Sequence, residues 1–261
     1  MEETVKWQDG QRWSGQASLS FLVFITISVV VFFRIGCQLV ITAWLAVQLT
    51  GRANAVGTIL LISSVTHLVC SPVIGKLVDT FKKKKRVIIY GHLGGALAGA
   101  FPLTMKWISL NQDSFVILAI VVVLATISGL FANGAIDYYT KIYIPITQRG
   151  QKLALMGAIT QVALLFGTTI GSIILTKLSF SESFIVISVC SITAAAICLF
   201  FLPEITIKNT ENSNRKRHFF LAELYLYFKY PTLFSVAGCA VLVFSIGQIT
   251  NTLLPALISL S

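Results

Sequence analysis

Two apolar stretches of the sequence carry polar side chains at helical spacing. Arg34, Gln38 and Thr42 follow one another at i, i+4 and i+8, which places them in one stripe along a helix. Asn133 and Asp137 are likewise one helical turn apart. Guanidinium, amide and hydroxyl groups can hold a polar solute, and a carboxyl group in a dry pocket can exchange a proton near neutral pH. These side chains therefore favour solute binding and proton exchange within apolar surroundings.

The chain around these polar groups is 56% hydrophobic and only 11% charged. Soluble domains contain about a quarter charged residues, so the chain lacks the polar surface of a soluble globule. Apolar runs of roughly 20 residues, long enough to cross ~30 Å of hydrocarbon, recur along it. Each run should be a helix, because a single span in lipid must satisfy its own backbone hydrogen bonds. The sequence predicts an all-α membrane protein with seven transmembrane helices, at 19–48, 55–74, 87–105, 115–139, 153–175, 184–202 and 233–258.

Lysine and arginine residues are distributed unevenly between the predicted spans. Of the 20 in the chain, 16 lie in the N-terminal segment, the second and fourth connections and the segment after the sixth span. Three lie in the other connections, and Arg34 lies inside a span. Because cytoplasmic segments hold the excess of positive charge, we expect a cytoplasmic N-terminus in the cell (inner) membrane. The net charge of +10 therefore indicates orientation in a bilayer and not nucleic-acid binding.

The connections divide the chain into three predicted parts. Residues 1–202 are expected to form an N-terminal six-helix transmembrane bundle. A polar segment with a basic run follows, and it is interpreted as a cytoplasmic linker over 203–232. Residues 233–261 would then be the first helix of a truncated second bundle. The organisation expected is that of a two-bundle membrane protein.

The connection between the second and third spans carries a recognisable motif. It contains Gly75, Leu77 and Asp79 at alternate positions, followed by a basic cluster that includes Lys83 and Lys84. This pattern resembles the cytoplasmic signature of the major facilitator superfamily, in which it acts as a conformational switch. A glycine there would let two helices approach closely, the aspartate would accept hydrogen bonds at a neighbouring helix N-terminus, and the lysines would hold the loop at the anionic leaflet. A basic loop that only fixes orientation is the alternative.

Further segments support the resemblance and also depart from it. Residues 44–57 are similar to the end of the first helix in drug, macrolide and siderophore exporters of the superfamily, and Arg149-Gly150 matches a pair common after the fourth helix. Residues 167–172 are similar to the fifth-helix antiporter motif, although Thr168 replaces its proline. Ile142 stands where many relatives place an acidic residue.

The resemblance implies a secondary active transporter that works by alternating access between two six-helix bundles. In that family the first and fourth helices line the central cavity, which would place Arg34, Gln38, Asn133 and Asp137 beside it. Gln161 of the fifth span is a further candidate. The resemblance implies proton-coupled export of a small amphipathic molecule by a protein that is a monomer when full length.

Two alternatives to this interpretation remain open. Arg34 and Asp137 could be a structural ion pair, or each could extend separately to the cytoplasmic interface, and their different depths count against a direct pair. The chain could also be a transport-inactive truncated fragment, or a membrane protein that acts through helix contacts alone. The sequence contains no catalytic constellation, phosphate loop or metal-ligand spacing, so an enzyme, a cofactor and a metal site are not expected. The expected partners are the lipid bilayer, a small-molecule substrate and protons.

Overall fold

The computed structural model describes residues 13–52, 54–104, 113–144, 146–178 and 180–204, together with Thr232 and Ser235. In these ranges the chain forms six α-helices that cover the first six predicted spans to within one residue at each end. The predicted seventh span and nearly all of the predicted linker lie outside the described residues. The helices are α1 (Trp13–Thr50), α2 (Asn54–Thr80), α3 (Lys84–Thr104), α4 (Asp113–Tyr143), α5 (Ile146–Lys177) and α6 (Phe180–Phe201).

Five of the described helices are long and apolar enough to cross a membrane. The qualifying segments are Phe21–Thr50, Asn54–Thr80, Phe115–Thr140, Thr147–Lys177 and Glu182–Phe201. The remaining helix, α3, begins with three basic residues, which leaves about 27 Å of helix for the apolar interior of a bilayer.

The helices pack into a bundle in which neighbours along the chain are not always neighbours in space. The most extensive contacts join α1 to α5, and α3 to α6 and to α4. Helix α2 packs on α4, and α1 also contacts α6. As a result, α1, α3, α4 and α6 share one interior.

Helices α1 and α5 cross at very short range because glycines face each other's backbone. A Cβ atom on Gly36 would collide with the carbonyl oxygen of Leu164, and one on Gly167 would collide with that of Phe33. The Cys37 thiol donates a hydrogen bond to the Gly167 carbonyl oxygen at 3.2 Å. Small residues of this kind permit tight helix contacts in lipid, where packing replaces the hydrophobic effect.

Two separate clusters of buried apolar side chains fill the bundle, one toward each end. The first contains Val31 of α1 and Ala194 of α6. The second contains Cys37 of α1 and Ile187 of α6. The residues between these positions on each helix therefore lie between the two clusters.

Candidate functional site inside the helix bundle

A polar layer separates the two apolar clusters. Arg34 of α1, His92 of α3 and Ser191 of α6 all lie in it, and their side chains are only 6%, 4% and 1% exposed. A buried guanidinium in a membrane protein is costly unless a partner or water compensates it. The layer is therefore the place in the described bundle where polar chemistry is concentrated.

The stripe predicted on α1 is a connected set of hydrogen bonds. Arg34 Nη1 donates to Gln38 Oε1 at 2.9 Å. Thr42 Oγ1 in turn donates to the Gln38 carbonyl oxygen at 2.7 Å. The Arg34 head group is buried and held inside the bundle, which differs from extension to a membrane surface. Within the described residues Arg34 forms no ion pair.

The polar layer contains a small pocket between four helices. Its walls include Arg34 from α1, His92 and Gly95 from α3, Asn133 from α4 and Ser191 from α6. The space open to the centre of a water-sized sphere is about 10 Å³, which suits one water molecule or one ion of similar size. An organic cargo does not fit in this pocket.

Glycine at position 95 creates part of this space. A Cβ atom there would lie 3.8 Å from Arg34 Nη1 and 3.4 Å from Ser191 Oγ. Two buried nitrogen atoms in the layer, Arg34 Nε and His92 Nε2, have no hydrogen-bond partner among the described residues. Because buried polar atoms are usually paired, these two atoms are the ones in the layer with capacity for a further partner.

The predicted residues of α4 are divided between the pocket and the surface. Asn133 and Asp137 are both exposed. Asn133 also lines the pocket, whereas Asp137 does not. The structure thus brings Arg34 and Asn133 together and leaves Asp137 apart from them. Gln161 is on an exposed side of α5 and is also absent from the pocket wall.

The exposed polar face of α4 differs in direction from its exposed apolar face. Val116, Ile120 and Leu124 are exposed and apolar. At 3.6 residues per turn, Asn133 and Asp137 point about 120° away from them around the helix axis. The apolar face suits contact with lipid, and the polar face suits contact with water.

The connection between α2 and α3 is organised by a buried lysine. Lys84 is 1% exposed, and its Nζ donates to the carbonyl oxygens of Val78 and Asp79, the latter at 3.2 Å. These carbonyls belong to the last turn of α2, so the ammonium group caps the negative end of that helix. The same Nζ lies 5.3 Å from the centre of the Tyr138 ring of α4. Burial lowers the pKa of Lys84, and the charge of Asp79 opposes this effect.

The neighbouring lysine joins this connection to the end of α6. Lys83 Nζ lies 3.4 Å from Glu204 Oε1, and both side chains are largely exposed. At the same end of the bundle, the Tyr139 hydroxyl donates to the Pro203 carbonyl oxygen at 2.9 Å. The residues after α6 are therefore attached both to the α2–α3 connection and to α4.

The other motif residues make few contacts with the described part of the chain, so their predicted roles stay predictions. A Cβ on Gly75 would meet no described atom within 4 Å, so no close helix approach occurs there in the described part. Leu77 and Asp79 are exposed, and the Asp79 carboxylate makes no hydrogen bond to a described residue. The ammonium group of Lys84 is occupied by the backbone of α2, and contact of the other lysines with the anionic leaflet stays a prediction.

Sequence reasoning missed His92 and Ser191. A histidine inside an apolar span is itself a signal, because an ionisable group in lipid is rarely placed there without a partner. Ser191 carries no comparable signal, since serine is common at helix contacts. In the described residues no group of three or more His, Cys, Asp or Glu side chains could hold a metal ion.

One family model matches nearly the whole chain. A family model described as the Major Facilitator Superfamily matches residues 19–261. The match includes the six described helices and continues through the segment that follows them. No curated protein and no solved structure matches the chain.

Proposed function

Since the chain belongs to the Major Facilitator Superfamily, it is a multi-pass membrane transporter and not an enzyme, and we propose that it exports a small amphipathic molecule in exchange for protons. Transport would proceed by alternating access, in which the bundle moves as a body and exposes the cargo to one side at a time. The proposed location is the cell (inner) membrane, with a cytoplasmic N-terminus and a monomeric full-length form. The family match does not favour the alternative of a protein without transport activity.

The observation that carries this proposal is the exposed polar face of α4. Asn133 and Asp137 are exposed on a helix that is long and apolar enough to span a membrane. A carboxamide and a carboxyl group are costly against lipid tails, so such residues face a water-filled cavity or other protein. An aqueous cavity is what a transporter requires for its cargo. We assign Asn133 to cargo contact and Asp137 to proton exchange.

The polar stripe of α1 supports the assignment of Asn133, because Arg34 of this stripe lies on the buried side of the same pocket. Arg34 and Asn133 line the same pocket, and Arg34 is held by Gln38. We therefore propose that Arg34 and Gln38 position Asn133 and set the local charge. Gln161 remains a candidate for cargo contact on a different face of the bundle.

The α2–α3 connection supports movement of the bundle as one body. Lys84 connects α2, α3 and α4 through the carbonyls of α2 and the ring of Tyr138. Lys83 adds a contact to Glu204 after α6. Elements joined at one end in this way rotate together, which is what rocking between two states demands.

Transport by the purified chain in proteoliposomes tests the proposal. A fluorescent amphipathic cation is loaded on one side, a proton gradient is imposed, and dye movement is recorded with and without a protonophore. We expect dye movement that follows the gradient and stops when the gradient is dissipated. Movement that is unaffected by the protonophore would contradict proton coupling. Absence of movement for a series of amphipathic dyes would contradict export.

A further inference from the structure

Two residues that line the pocket in the polar layer have a side-chain nitrogen with unused hydrogen-bonding capacity. Arg34 Nε–H is a donor, and His92 Nε2 is a donor in the tautomer that carries its proton there. Both nitrogens are buried and have no partner among the described residues. Asn133 adds an amide group at the pocket wall. Ser191 Oγ donates to the Ile187 carbonyl at 2.9 Å, so its hydroxyl hydrogen is already used.

The positive charge of Arg34 is not balanced by a described residue at the pocket. The guanidinium of Arg34 is permanently positive. It is 6% exposed, and no described carboxylate lines the pocket or pairs with it. Water would supply hydrogen bonds but would not neutralise the charge, whereas an anion would supply acceptor sites and neutralise it.

The dimensions of the pocket restrict which anion can enter. The space for the centre of a water-sized sphere is about 10 Å³, the lower limit for one water molecule, so a sulfate or an organic acid does not fit and a single-atom anion is the only anion close to it in size. The apolar clusters close the layer toward the two ends of the bundle, and the exposed Asn133 lies at its open side. From these observations we propose that the pocket is a binding site for one chloride-sized monovalent anion, held between Arg34 Nε and His92 Nε2.

This site adjoins the proposed cargo site, because Asn133 lines the pocket and is also the residue assigned to cargo contact. Asp137 is exposed on α4 and does not line the pocket, so the proposed exchange of protons does not require the anion to leave. The anion would be a fixed part of the bundle that stabilises its folded form. Its presence can therefore be measured without any transport assay.

Thermal unfolding of the purified chain in detergent tests the site. Chloride replaces gluconate at constant ionic strength, and the unfolding midpoint is followed by tryptophan fluorescence. A ligand that binds only the folded form raises the midpoint, by about 2–5 °C for each tenfold rise in concentration above Kd. We expect this rise with chloride and bromide, and none with sulfate or gluconate. Equal midpoints in chloride and gluconate would overturn the proposal, and so would an equal rise with every anion.

Two variants with a matched control locate the effect. Arg34→Gln should abolish the dependence on chloride, and His92→Gln should weaken chloride binding by about tenfold, the equivalent of one hydrogen bond. Arg52→Gln changes an exposed arginine just after the same helix and should leave the dependence intact. Persistence of the full chloride effect in Arg34→Gln would overturn the assignment.

A second measurement covers the case in which Arg34→Gln does not fold. The ³⁵Cl nuclear magnetic resonance line of the native chain should be broadened, and bromide should remove the broadening by displacement. His92→Gln should lose most of it. Broadening that bromide does not displace would place chloride outside this pocket and contradict the proposal.

Discussion

Lys84 Nζ lies 5.3 Å from the centre of the Tyr138 ring while it donates to the last carbonyls of α2. One side chain thus joins the end of α2, the start of α3 and the part of α4 that carries Tyr138. The sequence pattern placed this lysine in a surface cluster, and the structure places it inside. Its removal should therefore affect stability and not only orientation.

Lys84→Met should lower the free energy of unfolding by about 1–3 kcal/mol, because the carbonyls of Val78 and Asp79 lose a charged donor. Lys82→Met is the matched control, since Lys82 is exposed in the same connection. Thermal unfolding of the two purified variants measures the difference. Similar unfolding midpoints for both would show that the cap adds no stability.

Gly167→Ala should destabilise the bundle by about 1–3 kcal/mol, because its new Cβ would meet the Phe33 carbonyl at the α1–α5 crossing. Gly157→Ala, in the same helix, meets no described atom and should be neutral or slightly stabilising through its helix propensity. The opposite signs can be read from thermal unfolding. A neutral result for Gly167→Ala would mean that the crossing can relax.

Arg34→Ala should reduce the transport rate at least about tenfold while expression persists, because the bond to Gln38 and the charge behind Asn133 are lost together. Arg52→Ala should transport at the native rate, since Arg52 is exposed beyond the end of α1. Initial dye flux in proteoliposomes, normalised to inserted protein, measures both. Native flux in Arg34→Ala would remove the α1 stripe from the transport mechanism.

Asp137→Asn should lose transport driven by a pH gradient and keep slow movement down a dye gradient, because the amide cannot carry the proton. Asp113→Asn makes the same chemical change at the first residue of α4 and should keep the pH response. Everted vesicles with an imposed pH step distinguish the two. A normal pH response in Asp137→Asn would assign this carboxyl group to structure.

Reporter tags should locate the connections on opposite sides of the membrane. A tag after Lys84 should be cytoplasmic, and one after Lys106 should be external, because the excess of positive charge marks the cytoplasmic side. Accessibility to an impermeant thiol reagent or a protease in intact cells provides the measurement. If the two tags report the same compartment, the predicted orientation is wrong.

The sequence predicted the helices well because their signals are local. Six apolar runs correspond to α1 through α6, and the spacing of Arg34, Gln38 and Thr42 correctly indicated one connected stripe. These features depend on residues within a few turns of one another. The family could be recognised for the same reason, since the signature occupies one short connection.

The remaining features depend on which helices touch, which local patterns do not specify. The pairing of Arg34 with the pocket wall at His92 required α1 and α3 to share an interior. The burial of Lys84 depended on α4 bringing Tyr138 over the connection. Asp137 has the same spacing signal as Asn133, yet it does not line the pocket, because the pocket lies at the level of Gly129 to Asn133 on α4.

The two apolar clusters that enclose the polar layer have a consequence for energy conservation. A proton or ion that entered the layer from either end would have to cross close-packed hydrocarbon side chains, where no continuous file of water can form. The two ends of the six-helix bundle therefore block the passage of ions to the buried charge of Arg34. A membrane that contains this bundle therefore loses no ion gradient along the bundle axis.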